Sequence, residues 1–246
     1  MHPFIRFEKI SKAFGNNHVF RDLSLDIVKG ETLTIIGGSG SGKSVMLKLL
    51  LGVLRVDQGQ IYFDGENVCE MDDEKILHMR KRVGMLFQGA ALFDSLTVAE
   101  NIAYPLREHF DYEEEKIARI VAEKLEVVGL PGIEQMMPSD LSGGMKKRIG
   151  LARAIATDPE VILYDEPTTG LDPTNTNRIN ELIIDLQKRF KVTSLVVTHD
   201  MASAFKVSDR LALIHDHRIE FVGTKEEVKS SNNKIVQQFI RGAIGE

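Results

Sequence analysis

One stretch decides the fold, Gly37-Gly38-Ser39-Gly40-Ser41-Gly42-Lys43-Ser44. It follows Thr32-Leu33-Thr34-Ile35-Ile36, a β-branched run that is typical of a buried central strand. A helix is predicted after it, from about residue 43 to 54. Because glycine has no Cβ, the backbone amides of this stretch can turn inward without a clash. They then point to the same place as the N-terminus of the helix, where an anion can bind. The stretch therefore predicts an anion-binding turn between a strand and a helix.

The spacing G-x-x-x-x-G-K-S within this stretch is the pattern of a phosphate-binding loop. In such a loop Lys43 reaches the outer phosphates of a nucleotide, and Ser44 ligates Mg²⁺. A glycine-rich turn without a ligand is the alternative, and the strand–loop–helix context counts against it. We therefore predict a nucleotide site that uses the whole loop: Gly37, Gly38, Ser39, Gly40, Ser41, Gly42, Lys43 and Ser44.

Strand-like and helix-like segments alternate on both sides of the loop, which is typical of an α/β fold. Further strands are predicted from the apolar patterns at residues 4–10, 19–28, 60–63, 161–164, 194–197, 211–214 and 218–222. Helical patterns dominate from residue 90 to 156, for example at 112–128. We predict one domain: a nucleotide-binding core (1–89 and 157–228), a helical subdomain (90–156) and a helical tail (229–246).

Composition narrows the class of protein. The chain has 246 residues, a formal net charge of -5 and no overall basic excess, which disfavours a nucleic-acid partner. Cys69 is the only cysteine, so no intrachain disulfide is possible. The most apolar run, residues 45–54, contains Lys48 and falls far short of the roughly 20 residues that span a bilayer. No secretory signal is expected at the N-terminus.

Two acids and a histidine follow predicted strands. Asp165 and Glu166 end the strand at 161–164, and ligands of open α/β sheets bind where strands end. Asp165 is predicted to hold Mg²⁺, and Glu166 to orient or deprotonate the attacking water. His199 follows the strand at 194–197 and is expected to contact the γ-phosphate. The alternatives, an acidic turn and a structural histidine, are weaker beside a phosphate-binding loop.

A second glycine-rich turn, Leu141-Ser142-Gly143-Gly144-Met145, precedes a helix predicted at 146–156. Ser142 is expected to cap that helix. The free amides of the helix N-terminus would then form a second anion site. An ordinary Ser-Gly-Gly turn is the alternative.

With these motifs in this order, the chain resembles the ATPase subunits of ABC transporters over essentially its full length. The resemblance implies a P-loop NTPase fold with a mixed sheet core, an antiparallel β-subdomain and a helical insertion. Phe14 would stack on adenine, and Gln88 would sense Mg²⁺ and the γ-phosphate while touching the permease. Ser142, Gly143 and Gly144 would close on ATP held by the opposite subunit.

The family pattern also includes a D-loop, matched by Gly170-Leu171-Asp172, and an H-loop, matched by His199. The implied assembly is a head-to-tail dimer with two ATPs that drives a separate integral-membrane permease. Three positions depart from the general pattern: Met145 replaces a usual Gln, Val45 a common Thr, and Gly170 a frequent Ser-Ala pair. None removes a catalytic group, so hydrolysis is still expected.

Within the family, segments 42–45, 85–93, 104–109 and 236–240 are most similar to the Mla-type, Mce-associated ATPases. That group moves phospholipids between the inner and outer membranes of Gram-negative bacteria. The resemblance implies Mce-domain and small regulatory partner subunits, and a peripheral location on the cytoplasmic face of the bacterial inner membrane. Other cargoes, namely amino-acid import or lipoprotein release, stay open. A non-transport ABC ATPase and an inactive scaffold are less favoured.

Four further segments carry patterns outside these motifs. Residues 90–93 and 104–106 are expected to form an apolar groove for a short helix of the permease. The tail stripe at Ile235, Val236, Phe239, Ile240, Ala243 and Ile244 is predicted to dock on a neighbouring subunit or on its own domain, with both alternatives open. Lys146-Lys147-Arg148 is interpreted as a helix surface near nucleotide rather than a nucleic-acid contact. His215-Asp216-His217 is interpreted as a solvated hairpin tip rather than a metal site.

Overall fold

Strands and helices alternate along most of the chain in the computed structural model, which describes residues 3–244 and side chains through residue 240. The strands are β1 (Ile5–Phe14), β2 (Asn17–Ile27), β3 (Thr32–Gly37), β4 (Gln58–Phe63), β5 (Glu66–Asn67), β6 (Val83–Leu86), β7 (Val161–Asp165), β8 (Thr193–Thr198), β9 (Arg210–His215) and β10 (Arg218–Thr224). The helices are α1 (Lys43–Leu50), α2 (Asp73–Lys81), α3 (Val98–His109), α4 (Glu114–Val127), α5 (Gly143–Ala154), α6 (Pro173–Phe190), α7 (Met201–Val207), α8 (Lys225–Ser230) and α9 (Lys234–Ile244).

The larger sheet holds six strands in the order β10-β9-β3-β8-β7-β6. Strands β9, β3, β8, β7 and β6 run parallel, and β10 is antiparallel to β9. Both faces of this sheet are covered, so β3, β7 and β8 are buried at every position. Because they are parallel neighbours, their carboxyl ends meet at one edge, and the loops after them emerge together.

The smaller sheet is antiparallel, in the order β2-β1-β4-β5. Ile5 of β1 lies between Ile27 of β2 and Phe63 of β4. Its buried face and α1 share one apolar cluster with β3, β7 and β8. The predicted mixed sheet core and antiparallel β-subdomain are therefore confirmed.

Helices α3, α4 and α5 form the predicted helical insertion. Their inward side chains, including Ile102, Leu125 and Ile149, build a second apolar cluster with Ile162 and Tyr164 of β7. A capping box at Thr97 begins α3, because its hydroxyl accepts from the Glu100 amide while the Glu100 carboxylate accepts from the Thr97 amide. The exact division at residues 89 and 156 stays a prediction.

Two local features differ from the sequence-based expectation. The first helix ends at Leu50 rather than near 54, since Gly52 takes φ +64° against α2, where a Cβ would lie 2.8 Å from Ile76 Cδ1. Strand β6 was not predicted because it is short and contains Gly84. That glycine is required there, as a Cβ would lie 2.1 Å from the Ala154 carbonyl oxygen.

The C-terminal helix α9 packs on its own domain. Val236 and Ile240 are buried with Met201 and Ala204 of α7 in a third apolar cluster. Of the two alternatives for the tail stripe, the described part thus contacts its own domain. The side chains of Ala243 and Ile244 lie outside the described residues, as do Gly245 and Glu246. Among the helices within residues 3–244, none has both the length and the apolar character that a membrane crossing requires.

Candidate functional site

The glycine-rich loop between β3 and α1 takes a conformation that needs its glycines. Gly40 and Gly42 have φ of +76° and +93°. At Gly42 a Cβ would lie 2.4 Å from Val19 Cγ1, so the loop rests against β2 and has no room for a side chain. Ser41 Oγ is buried with no hydrogen-bond partner. An orphaned polar atom in a glycine-rich loop at a helix N-terminus fits a site for a phosphate group.

Lys43 lies at the centre of this loop and is 7% exposed. Its Nζ donates to the carbonyl oxygens of Gly37 at 2.9 Å and Gly38 at 3.1 Å, and lies 4.0 Å from Glu166 Oε1. Burial lowers the pKa of Lys43, and the charges of Glu166 and Asp165 oppose that shift. The loop therefore holds a desolvated cation where the outer phosphates of a nucleotide would lie.

A pair of oxygen ligands stands beside the lysine. Ser44 Oγ, in the first turn of α1, donates to Asp165 Oδ1 at 2.7 Å across the edge of the sheet. Hydroxyl and carboxylate oxygens are the ligands that Mg²⁺ prefers, with phosphate oxygens and water filling its octahedron. These two residues fit a magnesium ion bound together with nucleotide. No cluster of three or more His, Cys, Asp or Glu residues suited to a metal occurs within residues 3–244.

Glu166 is fixed in one orientation. It has φ +49°, a left-handed conformation that is uncommon for a non-glycine residue. Its Oε2 accepts hydrogen bonds from Thr169 Oγ1 at 3.1 Å and Thr198 Oγ1 at 3.3 Å. His199 Nδ1 lies 2.9 Å from the same oxygen. The carboxylate thus sits at the mouth of the loop with its rotation restricted from several sides.

These groups surround one cavity of about 550 Å³. Its walls are formed by Phe14, Asn17, Val19, Ser39, Gly40, Ser41, Gly42, Lys43, Ser44, Val45, Gln88, Glu166 and His199. The structure therefore brings together most of the residues that the sequence singled out, including the exposed ring of Phe14. It adds Asn17 and Val19 of β2, which carry no recognisable motif and reach the cavity only through the fold of the smaller sheet.

Seven predicted residues do not line the cavity. Gly37, Gly38 and Asp165 lie just behind its wall, where they are hydrogen-bonded to Lys43 and Ser44. The other four are Ser142, Gly143, Gly144 and Asp172. Ser142 Oγ caps α5 by accepting from the Met145 amide at 3.3 Å, as expected. Asp172 caps α6, and Gly144 packs beside that helix, where a Cβ would lie 2.3 Å from Asn175 Oδ1. Within one chain this turn does not face the nucleotide cavity.

The order and geometry of these motifs agree with the comparison against protein families, in which residues 20–169 match the model described as ABC transporter. The chain belongs to the ABC transporter family. It has the ATP-binding cassette of that family, and its activity is ATP hydrolysis.

Two relatives of this ABC ATPase align with nearly the whole of its length. The chain is 42% identical over 238 residues to the intermembrane phospholipid transport system ATP-binding protein MlaF of Haemophilus influenzae, covering 97% of this chain and 90% of that protein. It is 41% identical over 238 residues to the "probable ribonucleotide transport ATP-binding protein mkl" of Mycobacterium leprae, covering 97% of this chain and 69% of that protein.

Solved ABC cassettes share its fold. A dimeric, post-hydrolysis structure of the ATP-binding cassette MJ0796 bound to ADP and Pi superposes with a TM-score of 0.82 at 29% identity, covering 89% of this chain and 98% of that chain. The α/β cassette fold predicted from the sequence is thereby confirmed.

An apolar groove of about 430 Å³ lies on the other side of Gln88, where α3 meets β6. Phe93 and Tyr104 are 42% and 45% exposed there, with ring centroids 4.8 Å apart. The expectation that Leu106 lines this groove is wrong: it is 1% exposed and belongs to the helical core, because it lies on the opposite face of α3. Arg153 closes the groove by donating to the carbonyl oxygens of Ala90 and Ala91.

The basic run after the glycine turn is not simply a helix surface. Lys147 is 5% exposed and points inward, where its Nζ donates to the Glu166 carbonyl oxygen at 3.1 Å. Burial lowers the pKa of Lys147, and the charges of Asp165 and Glu166 oppose the shift. The surface interpretation is therefore wrong for this lysine. Its position four residues before Leu151 and seven before Ala154, apolar residues on the same helical face, is the signal that could have identified it.

Proposed function

We propose that this chain is the ATP-hydrolysing subunit of an ABC transporter that moves phospholipids between the inner and outer membranes of a bacterium. One observation carries the enzymatic part: Lys43, Ser44 and Glu166 line a single cavity at the glycine loop, and Asp165 is hydrogen-bonded to Ser44. The similarity to MlaF supports the cargo.

In this proposal the cavity residues divide the work of phosphoryl transfer to water. Lys43 exchanges its contacts with the loop carbonyls for the outer phosphates. Ser44, Asp165 and Gln88 would hold Mg²⁺, which would neutralise charge on the phosphate oxygens. Glu166 accepts the proton of the attacking water. His199, hydrogen-bonded to that carboxylate, keeps it turned toward the water and contacts the γ-phosphate.

Phe14 supplies an exposed aromatic face at the rim of the cavity, and adenine would stack on it. The glycines of the loop, from Gly37 and Gly38 to Gly42, present amides to the phosphates. The charge of the lysine and the dipole of α1 favour a polyphosphate over a neutral ligand.

The second half of each site would come from another copy of the chain. Ser142, Gly143, Gly144 and Asp172 do not line the cavity, and Ser142 and Gly143 at the start of α5 are exposed. In a head-to-tail dimer this turn would close on the ATP of the partner. The dimeric form of the related cassette MJ0796 supports the arrangement. ATP would join the two copies, and product release would separate them.

The remaining partners follow from the same proposal. An integral-membrane permease would dock on the groove at Phe93 and Tyr104, with Mce-domain and small regulatory subunits completing an Mla-type system. The chain would lie peripherally on the cytoplasmic face of the bacterial inner membrane, without a nucleic-acid partner. Ribonucleotide transport is the second candidate, because mkl is as similar in identity as MlaF. Amino-acid import and lipoprotein release are less supported.

The test uses the purified chain together with the permease reconstituted in vesicles. ATP hydrolysis should require Mg²⁺ and should stop on chelation. Fluorescent phospholipid should move between donor and acceptor vesicles only with ATP, whereas a labelled ribonucleotide should not be transported. Transport of the ribonucleotide without lipid transfer would contradict the cargo and leave the ATPase assignment intact.

A further inference from the structure

The peptide of Glu166 is held from two parts of the molecule. Its amide donates to the Val197 carbonyl at 2.9 Å, and its own carbonyl accepts from the Thr169 amide at 3.3 Å. Its carboxylate is held by Thr169, Thr198 and His199. All of these partners lie in the second half of the nucleotide-binding core.

Lys147 is the exception, because it reaches Glu166 from the helical insertion. It lies on α5, and its Nζ donates to the Glu166 carbonyl at 3.1 Å in a buried position. This contact acts on a residue whose left-handed backbone conformation is already uncommon. Such a conformation persists only where its surroundings hold it in place. Loss of the contact would let the peptide relax and would turn the carboxylate.

The same helix begins at the glycine turn that would meet the partner's nucleotide. Ser142 caps α5, and Lys147 follows within the next turn and a half of the helix. At its far end, Arg153 donates to the carbonyl oxygens of Ala90 and Ala91 at 2.8 and 2.7 Å, next to Gln88. A shift of α5 would therefore move groups that contact Glu166 and the segment after Gln88 in the same chain.

We propose that Lys147 is a positioning residue: its ammonium holds the Glu166 peptide so that the carboxylate faces the water, and it links the glycine turn at Ser142 to the Glu166 of the same chain. This inference rests on the proposed function. Burial lowers the pKa of Lys147, and the nearby charges of Asp165 and Glu166 oppose that shift. The partner's ATP, when contacted by Ser142, would thus act on hydrolysis in the adjacent site.

The first test separates positioning from folding. Lys147→Met replaces the side chain as far as Cε and removes the donor, whereas Lys147→Gln has the same length as Met and keeps a neutral N–H donor. The Met variant should lose turnover by on the order of 10- to 100-fold, the typical effect of a displaced catalytic group. Its KM for ATP and its thermal midpoint should stay near the parental values, and the Gln variant should recover part of the turnover.

Lys124 provides a matched control, since it is another buried lysine, at 3% exposure, and pairs with Asp158 away from the nucleotide cavity. Lys124→Met should leave turnover unchanged. Parental turnover in Lys147→Met would overturn the inference, as would equal losses in the Met and Gln variants. A loss that appears only together with a lower thermal midpoint would also overturn it. If Glu166→Gln hydrolyses ATP normally, Glu166 is not the proton acceptor of the proposed function, whereas parental turnover in Lys147→Met alone overturns only this inference.

The second test asks which site Lys147 serves, using mixed dimers. A Lys147→Met chain mixed with a Ser142→Arg chain should recover activity, because one composite site then has an intact lysine, glutamate and glycine turn. The same chain mixed with a Glu166→Gln chain should not recover, because each site then lacks one part. The opposite pattern would show that Lys147 acts on the partner's site. Failure of both mixtures, while the Lys43→Ala and Ser142→Arg mixture recovers, would overturn the inference as well.

Discussion

The edge of the large sheet and the turn at Ser142 each carry a glycine-rich motif that precedes a helix. They differ in how many of their polar groups are buried and paired within the chain. At the sheet edge, Lys43, Asp165 and Glu166 are all buried, and each has hydrogen-bond partners within its own chain. At the turn, Ser142 and Gly143 are exposed, and no described cavity contains them. The difference indicates that one surface is finished by folding and that the other needs a second surface to complete it.

The largest expected effect is at the finished surface. Glu166→Gln should lower ATP turnover by on the order of 10²-fold or more, because it removes the proton acceptor and leaves the phosphate loop intact. ATP binding, measured by equilibrium titration, should persist. Glu160→Gln is the matched control, since it lies at the other end of the same strand and faces Arg82 instead of the cavity. Parental turnover in Glu166→Gln would assign the role to another group.

The unfinished surface is tested by complementation. Lys43→Ala and Ser142→Arg should each inactivate a homodimer, the first by removing the phosphate cation and the second by blocking the turn. Mixed together, they form a heterodimer with one intact composite site and one doubly damaged site. Partial recovery of ATPase activity is expected if each site fires alone. A structure with ATP enclosed by Ser142 of its own chain would contradict the division between the two regions.

The groove at α3 is a second exposed surface on the helical insertion, and it can be compared with the buried sheet edge in the same way as the turn at Ser142. Phe93→Glu or Tyr104→Glu should keep the basal ATPase activity and abolish co-purification with the permease and lipid transfer, because helix-in-groove docking needs apolar walls. Phe190→Glu is the control, as that ring is similarly exposed on another face, at the end of α6. Leu106 is unsuitable for this test since it is buried. Normal transport by both groove variants would place the permease elsewhere.

The smallest effect concerns stability within the finished region. Glu160 accepts hydrogen bonds from Arg82 Nε at 2.6 Å and from Lys29 Nζ at 2.9 Å. The hydrogen bond from Arg82 is the main reason that the pKa of Glu160 is lowered from its usual value of 4.5. Glu160→Gln should cost about 1 kcal/mol or less, because the pair is partly exposed.

The difference in stability between the parent and Glu160→Gln should depend on pH in one direction. A carboxylate with a lowered folded-state pKa stabilises the native state above its unfolded-state pKa, and this contribution disappears as the pH falls through the folded-state value. Thermal unfolding of the parent and of Glu160→Gln should therefore differ at neutral pH and converge well below pH 4.5. A gap that widens in acid would contradict the ion pair as its cause.

Much of the fold could be predicted because local patterns and tertiary contacts agree along the core. The β-branched runs that precede the phosphate loop, Asp165 and His199 became β3, β7 and β8. Patterns of this kind fail for elements whose shape depends on distant neighbours. Strand β6 is too short to show a period, and α1 ends early because Gly52 must approach α2.

The sequence by itself singled out the groups of the candidate site, since Lys43, Ser44, Asp165, Glu166 and His199 belong to motifs that predict phosphate and metal binding. Tertiary structure alone decided which helix faces were buried. It turned Leu106 inward and Lys147 toward the Glu166 peptide, although both were interpreted as surface residues. The physical reason is that a motif fixes the groups that must meet a ligand, whereas burial of a side chain depends on the elements that pack across from it, and those are far away in the sequence.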